Sequence, residues 1–173
     1  MMKKKIFFLL AAIVIIIPIL ALSLLKISSA SAKEDAFVGR YSYPSIDTSE
    51  WEKASTEEKI TMCRIPQEVL DSMTEEQLVQ AVYDFPFLVN VFVYSALKDG
   101  VRNIERNSDA YAELLKRKGA KDALLQKITE VFSEQQEERN AWKKDALAVL
   151  ALYQEDIVEK MSAEEVQSVD SIV

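Results

Sequence analysis

The sequence predicts an all-α fold: a single compact multi-helix domain around a central buried helix, after an N-terminal export signal. Three observations predict it. Capping signatures of the S/T-x-x-E/Q form recur at Ser55–Glu58, Thr74–Gln77 and Ser162–Glu165. Apolar residues continue at helical spacing through Leu97, Val101 and Ile104. From Ala120 to Lys160 a helical pattern runs on with no Gly or Pro.

Residues 1–32 are set apart from the fold. Met1–Lys5 is basic, and Ile6–Leu25 is apolar except for Pro18 and Ser23. Ala30-Ser31-Ala32 then has the small-x-small form at which signal peptidase cuts. The apolar stretch exceeds the roughly 7–15 residues of a cleaved signal and matches a bilayer of about 30 Å. An uncleaved anchor is therefore the alternative, against which Pro18 and the Ala30/Ala32 site favour cleavage. In both cases Lys3, Lys4 and Lys5 stay cytoplasmic, and the expected location is secreted or on the extracellular face of the membrane. No cysteine follows the run closely, which argues against a lipid-anchored lipoprotein.

Residues 33–173 carry a marked acidic excess. Four of the 21 Lys+Arg and none of the 28 Asp+Glu lie in residues 1–32, which leaves 17 against 28, or −11. That balance opposes non-specific binding to nucleic acid or anionic lipid. The expected partner is a protein at the cell envelope, with no nucleic acid, and with the membrane reached only through an uncleaved N-terminal segment. Cys63 is the single cysteine, so it is either a buried apolar thiol or an intermolecular link. The absence of histidine removes Ser–His and Cys–His nucleophile pairs and His-based zinc sites.

Along the chain, residues 33–50 carry Gly39 and Pro44 without periodicity and read as an extended tether. The all-α domain is expected over residues 51–173, with Trp51 laying its indole on the first helix. Ser55 opens a short helix over Glu57–Met62, which Ile65-Pro66 interrupts. Pro66 then suits the first turn of a second helix through Asp71. Thr74 caps a helix from Glu75 to about Tyr83, with Met73 and Leu78 as its hydrophobic staple.

Pro86 stops that helix and starts the next. The valine-rich run Phe87–Tyr94 suits a strand or a helix, and the helical spacing beyond it favours one central helix over Pro86–Arg106. Its first two turns, apolar on all sides, are expected to be buried on all sides. Asn90 falls within the apolar arc and is read as a structural polar residue needing hydrogen-bond partners. Gly100 is read as a point of close approach.

Asn107 and Ser108 open a helix over Asp109–Lys118, closed by Gly119. Residues 120–160 are read as a hairpin of two helices turning near Glu138–Asn140, with one long helix as the alternative. Leu124, Ile128, Val131 and Phe132 make one apolar patch. Trp142, Ala146, Val149, Leu150, Tyr153 and Ile157 make another.

Trp51, Cys63, Ile65, Pro66, Leu70, Met73, Thr74, Glu76, Leu78, Pro86, Phe87, Leu88, Gly100, Glu113, Leu114 and Arg117 together form a pattern. It covers roughly residues 51–125 and resembles that of a family of secreted bacterial all-helical proteins. Members often carry Asp where this chain has Asn90. The resemblance implies a shared fold and brings no activity with it.

No G-x-S-x-G, H-E-x-x-H, C-x-x-C, Gly-rich phosphate loop or EF-hand spacing occurs. The acidic pairs Glu57/Glu58, Glu75/Glu76 and Glu164/Glu165 each fall in a first helical turn, where the helix dipole favours negative charge. The basic run Lys116–Lys121 lies across a helix C-terminus, where cations are stabilised. The expectation is a non-enzymatic interaction module with no cofactor, no metal and no catalytic residue. Its partner surface is expected at Trp142, Val149, Leu150 and Tyr153. The rivals are an acid-dependent hydrolase acting on envelope glycan or peptide, and a membrane-tethered sensor or assembly factor.

Overall fold

The computed structural model describes residues 39–133 and 141–172; the export signal expected over residues 1–32 and the turn expected at Glu138–Asn140 lie outside them. All regular structure among the described residues is helical. In chain order it comprises α1 (Ser49–Lys53), α2 (Thr56–Met62), α3 (Gln67–Ser72), α4 (Glu75–Asp84), a 3-10 turn (Leu88–Phe92) and α5 (Leu97–Asn107). There follow α6 (Asp109–Leu115), α7 (Ala120–Ser133), α8 (Ala141–Tyr153), α9 (Glu155–Val158) and α10 (Ala163–Asp170).

The three capping boxes form as the sequence specifies. The backbone N–H of Ser55 donates to Glu58 at 2.7 Å, that of Thr74 to Gln77 at 2.9 Å, and that of Ser162 to Glu165 at 2.7 Å. Each hydroxyl accepts in return from the N–H of the same partner. Such caps fix helix starts at about 1 kcal/mol apiece. Ser108 likewise caps α6 by accepting from the N–H of Tyr111. Gly119 departs from expectation: Gly39 alone among the described glycines has a positive φ, so Gly119 makes no left-handed C′ cap. Its carbonyl instead accepts from the N–H of Ala123 in the first turn of α7, and a Cβ there would stand 3.3 Å from Oε1 of Glu75.

The central helix is α8, not Pro86–Arg106. Every residue from Ala146 to Ala151 is fully buried. Helices α5, α7, α9 and α10 and the 3-10 turn all pack around it. The run "ALAVLA" explains this: alternating small and branched apolar residues on all sides let neighbours approach from every direction. Tyr111 of α6 reaches in and donates its hydroxyl to the Leu150 carbonyl at 3.1 Å.

The expected helix over Pro86–Arg106 divides in two. Pro86 follows α4, the 3-10 turn has no side-chain cap, and Ala96 is extended (φ −120°, ψ 127°) before α5 begins. Valines at 89, 91 and 93 are poor helix formers because their χ1 rotamers crowd the preceding turn. A continuous helix would hold Val91 about 13–14 Å from Gly100 along its axis. Instead the turn folds back so that the backbone of Val91 lies directly on Gly100. The close approach expected at Gly100 is present, and it is made by the adjacent turn. From Leu97 onward the wheel holds: Val101 and Ile104 are buried, while Lys98, Arg102 and Arg106 face solvent.

Residues 39–48 are not a free tether. Arg40 forms a two-pronged salt bridge with Asp84, and Gln77 donates to the Gly39 carbonyl at 3.3 Å. Tyr41, Tyr43, Phe85, Phe87 and Trp51 form a chain of ring contacts with centroids 5.0–5.8 Å apart. Such edge-to-face and tilted contacts add about 0.5–1.5 kcal/mol each beyond area burial. Trp51 lies within α1, which Thr48 caps ahead of the expected domain start, and its ring sits 5.8 Å from the ammonium of Lys59 in α2, the helix on which it was expected to lie.

Helices α7 and α8 pack against one another, and Lys144 near the start of α8 sits 5.3 Å from the ring of Phe132 near the end of α7. That pairing is the hairpin the sequence favours. Helix α8 stops at Tyr153 rather than continuing to Lys160, since Gln154 is extended (φ −94°, ψ 113°).

Candidate functional site

The charge-free stretch Phe85–Leu97 holds more apolar side chains than the core takes in. A 3-10 turn has three residues per turn, so positions i and i+3 lie one above the other. Leu88 and Val91 point inward together and are fully buried. Val89 and Phe92 point outward together, 45% and 38% exposed. Val93 (71%) and Tyr94 (39%) continue the outward set. The run of exposed residues extends through Ser95 and Ala96. Four large apolar side chains in six residues, with no charge among them, make a surface of the kind associated with contacts to other molecules.

The fold holds this turn firmly. Phe85 and Phe87 anchor its start among the aromatic rings, Gly100 supports its middle, and α8 backs it. Asn90 donates its backbone N–H to the Phe87 carbonyl at 2.9 Å and accepts from the Val93 N–H at 3.2 Å. Its side chain is half-buried, and among the described residues it makes no hydrogen bond. The polar contact expected of that side chain is thus replaced by backbone bonds closing the turn.

The surface expected at Trp142, Val149, Leu150 and Tyr153 does not form. Val149 and Leu150 are both 0% exposed and belong to the core. They point inward because α8 is surrounded, a tertiary fact that the amphipathic pattern alone does not carry. Trp142 is half-buried beside Arg40 and Lys143. Tyr153 is exposed, in a separate groove with Lys98 and Arg102. Phe132, expected to pack with Leu124, Ile128 and Val131, is 60% exposed beneath Lys144 while the other three are buried. Sequence reasoning overlooked Val89, Phe92, Val93 and Tyr94 by counting them as core. The signal that could have found them is the surplus itself: one turn cannot bury every face of so apolar a run.

Several ionisable groups outside this turn are paired within the fold. Glu113 is buried and paired with Lys116 and Arg117, both at 2.9 Å. Burial pushes its carboxyl upward, but the bonds to those two cations outweigh it and hold the carboxyl below its usual range. Arg117 also donates to the Leu70 carbonyl at 3.1 Å. Lys121 pairs with Asp122 and Glu165, so the basic run is largely consumed in internal pairs. Cys63 is buried, and burial pushes its thiol up to about 11. Of its two expected states it takes the buried apolar one. Among the described residues, no group of His, Cys, Asp and Glu is arranged to hold a metal ion. No helix among them is long and apolar enough to cross a membrane.

Compared with protein-family models, curated proteins and solved structures, the chain matches none.

Proposed function

We propose that this chain is an exported, non-enzymatic helical interaction module that binds a protein partner at the cell envelope. The observation that carries the reading is the outward set Val89, Phe92, Val93 and Tyr94 on a turn braced from beneath. Aromatic residues in such a set fit the composition of interface centres, where charge is depleted and aromatics are enriched. Three features favour a protein groove as the occupant. The side chains project from a turn, the stretch Phe85–Leu97 is uncharged, and the acidic excess of residues 33–173 opposes anionic lipid and a second copy alike. The N-terminal pattern of residues 1–32 supports delivery to the envelope.

The non-enzymatic part draws support from the carboxyls. A hydrolase with two acids needs one carboxyl raised into the neutral range. The described carboxyls with displaced ionisation (Glu58, Glu76, Glu113, Glu155, Glu164 and Glu165) all move downward.

The test places a photoreactive side chain at position 93 of the full chain in cells, with exposed position 159 as the control. The expected result is an adduct with a different protein of the envelope from position 93 alone, lost when Phe92 is changed to Ser. A homodimer, a lipid adduct, equal yield from both positions, or no adduct would overturn it. Sequencing the N-terminus of the recovered protein tells a cleaved signal from a retained anchor. Recovery from the cytoplasm alone would overturn export.

A further inference from the structure

On another part of the surface, the first turn of α8 faces residues 40–46 across a groove of about 550 Å³, within the range of small-molecule sites. Its chemistry is set by Arg40, Tyr43, Asp84, Trp142 and Lys143. Asp84 is fully used: both its oxygens accept from Arg40, and one also accepts from Gln80 at 2.9 Å. Lys143 is different. Its ammonium lies 4.7 Å from the ring centroid of Tyr83 and 5.9 Å from that of Trp142. No carboxylate among the described residues pairs with it. Lys127, over the same Tyr83 ring, does have a partner, Glu130 at 3.1 Å.

The groove therefore holds one cation more than it holds anions, on a chain whose net charge is negative. Burial, with Arg40 adding to it, lowers the affinity of Lys143 for its proton, while Asp84 acts the other way. An ammonium held on aromatic faces, with no carboxylate partner, still has an N–H donor to offer a ligand. Beside it, the indole of Trp142 and the ring of Pro86 offer flat apolar walls.

We propose that this groove is a binding site for an organic carboxylate carried on an aromatic or apolar body. The carboxylate pairs with Lys143, and the body lies along Trp142. Arg40 remains bonded to Asp84, so the uncompensated charge that the ligand meets is that of Lys143. The ligand is either a free aromatic acid or the C-terminal carboxylate of a peptide ending in an aromatic residue.

The test follows the Trp142 indole N–H of the full chain by NMR, in detergent if the N-terminal segment is retained. The probes are phenylacetate, N-acetylphenylalanine and N-acetylphenylalaninamide. A saturable shift at Trp142 with a Kd of about 1 mM or tighter is expected for at least one acid, with the amide about tenfold weaker for loss of a charge-assisted bond. Lys143→Met, which keeps the apolar stem, should abolish the preference for acid over amide while leaving the circular dichroism unchanged. Phenylacetate binding better than N-acetylphenylalanine identifies a free acid as the source; the reverse order identifies a peptide end. Equal binding of acid and amide, shifts confined to other residues, no saturable shift, or a Lys143→Met variant that keeps its preference would overturn the site. None of these outcomes depends on the Val89–Tyr94 turn.

Discussion

Gly100 of α5 lies so close to Val91 that a Cβ built on it would stand 2.0 Å from the Val91 carbonyl oxygen and 2.7 Å from its carbonyl carbon. The obstructing atoms are backbone, so no rotamer change relieves the clash. Gly100→Ala should therefore destabilise the domain even though Ala is the better helix former by about 1 kcal/mol. The expected net cost is about 1–3 kcal/mol, the range for overpacking. Urea titration checks it: the midpoint should fall with the m-value unchanged. A stabilised variant would mean that the turn does not rest on α5.

The C-terminal segment from α8 onward should be indispensable to folding. Leu150 is fully buried, its carbonyl accepts from Tyr111, and α8 touches most of the other long elements. Leu150→Ala is expected to cost about 2–5 kcal/mol. Removing residues 141–173 should leave a chain without cooperative unfolding, observable as a lost thermal transition in circular dichroism. A truncated chain that still melts cooperatively would return α8 to the surface role first expected of it.

What the sequence made legible was local. Ser55, Thr74 and Ser162 each meet their partner three residues away, so the capping boxes were readable from spacing alone. The need for Gly at position 100 was readable too, but not that Val91 fills the space. Val149 and Leu150 were expected at a partner surface, while Val93 and Tyr94 were expected inside. Both errors have one source. Periodicity tells which side chains share a face, and only long-range packing decides which face is covered. The aromatic chain from Tyr41 to Trp51 lay beyond reach for the same reason, because it joins Tyr43 to Phe85 and Trp51 to Phe87, pairs far apart in sequence.

Glu113 should make stability sensitive to acid. Its carboxyl is held below the unfolded value of 4.5, because its bonds to Lys116 and Arg117 outweigh the opposing effect of burial. A depressed carboxyl contributes stability that is present above the unfolded pKa and lost as pH falls through the folded one. Stability should therefore decline below about pH 4.5. Glu113→Gln should flatten that decline while costing about 1–3 kcal/mol at neutral pH through a weakened network. Lys116 is well exposed and contributes little of this; Arg117, tied also to Leu70, carries more. Urea midpoints measured from pH 7 to pH 3 for both proteins check the slope. Parallel curves would mean that Glu113 is not the group responsible.

In the 3-10 turn and the two residues that follow it, neighbours of similar chemistry should respond in opposite ways. Leu88 and Val91 are buried and Val89, Phe92, Val93 and Tyr94 are exposed, so alternate truncations report which face meets water. Leu88→Ala should cost about 2–5 kcal/mol, as large-to-small core changes do. Val93→Ser removes a group that already faces solvent and should stay within about 0.5 kcal/mol of the parent, while Tyr94→Ser, at a side chain 39% exposed, should cost less than Leu88→Ala. Both substitutions should instead lower the retention of the protein on a hydrophobic-interaction column, since Val93 and Tyr94 supply free apolar surface. The measurement needs no partner and so stands apart from the binding proposal. If Val93→Ser proved as costly as Leu88→Ala, the turn would be buried on both faces, and it would offer no surface for a partner to read.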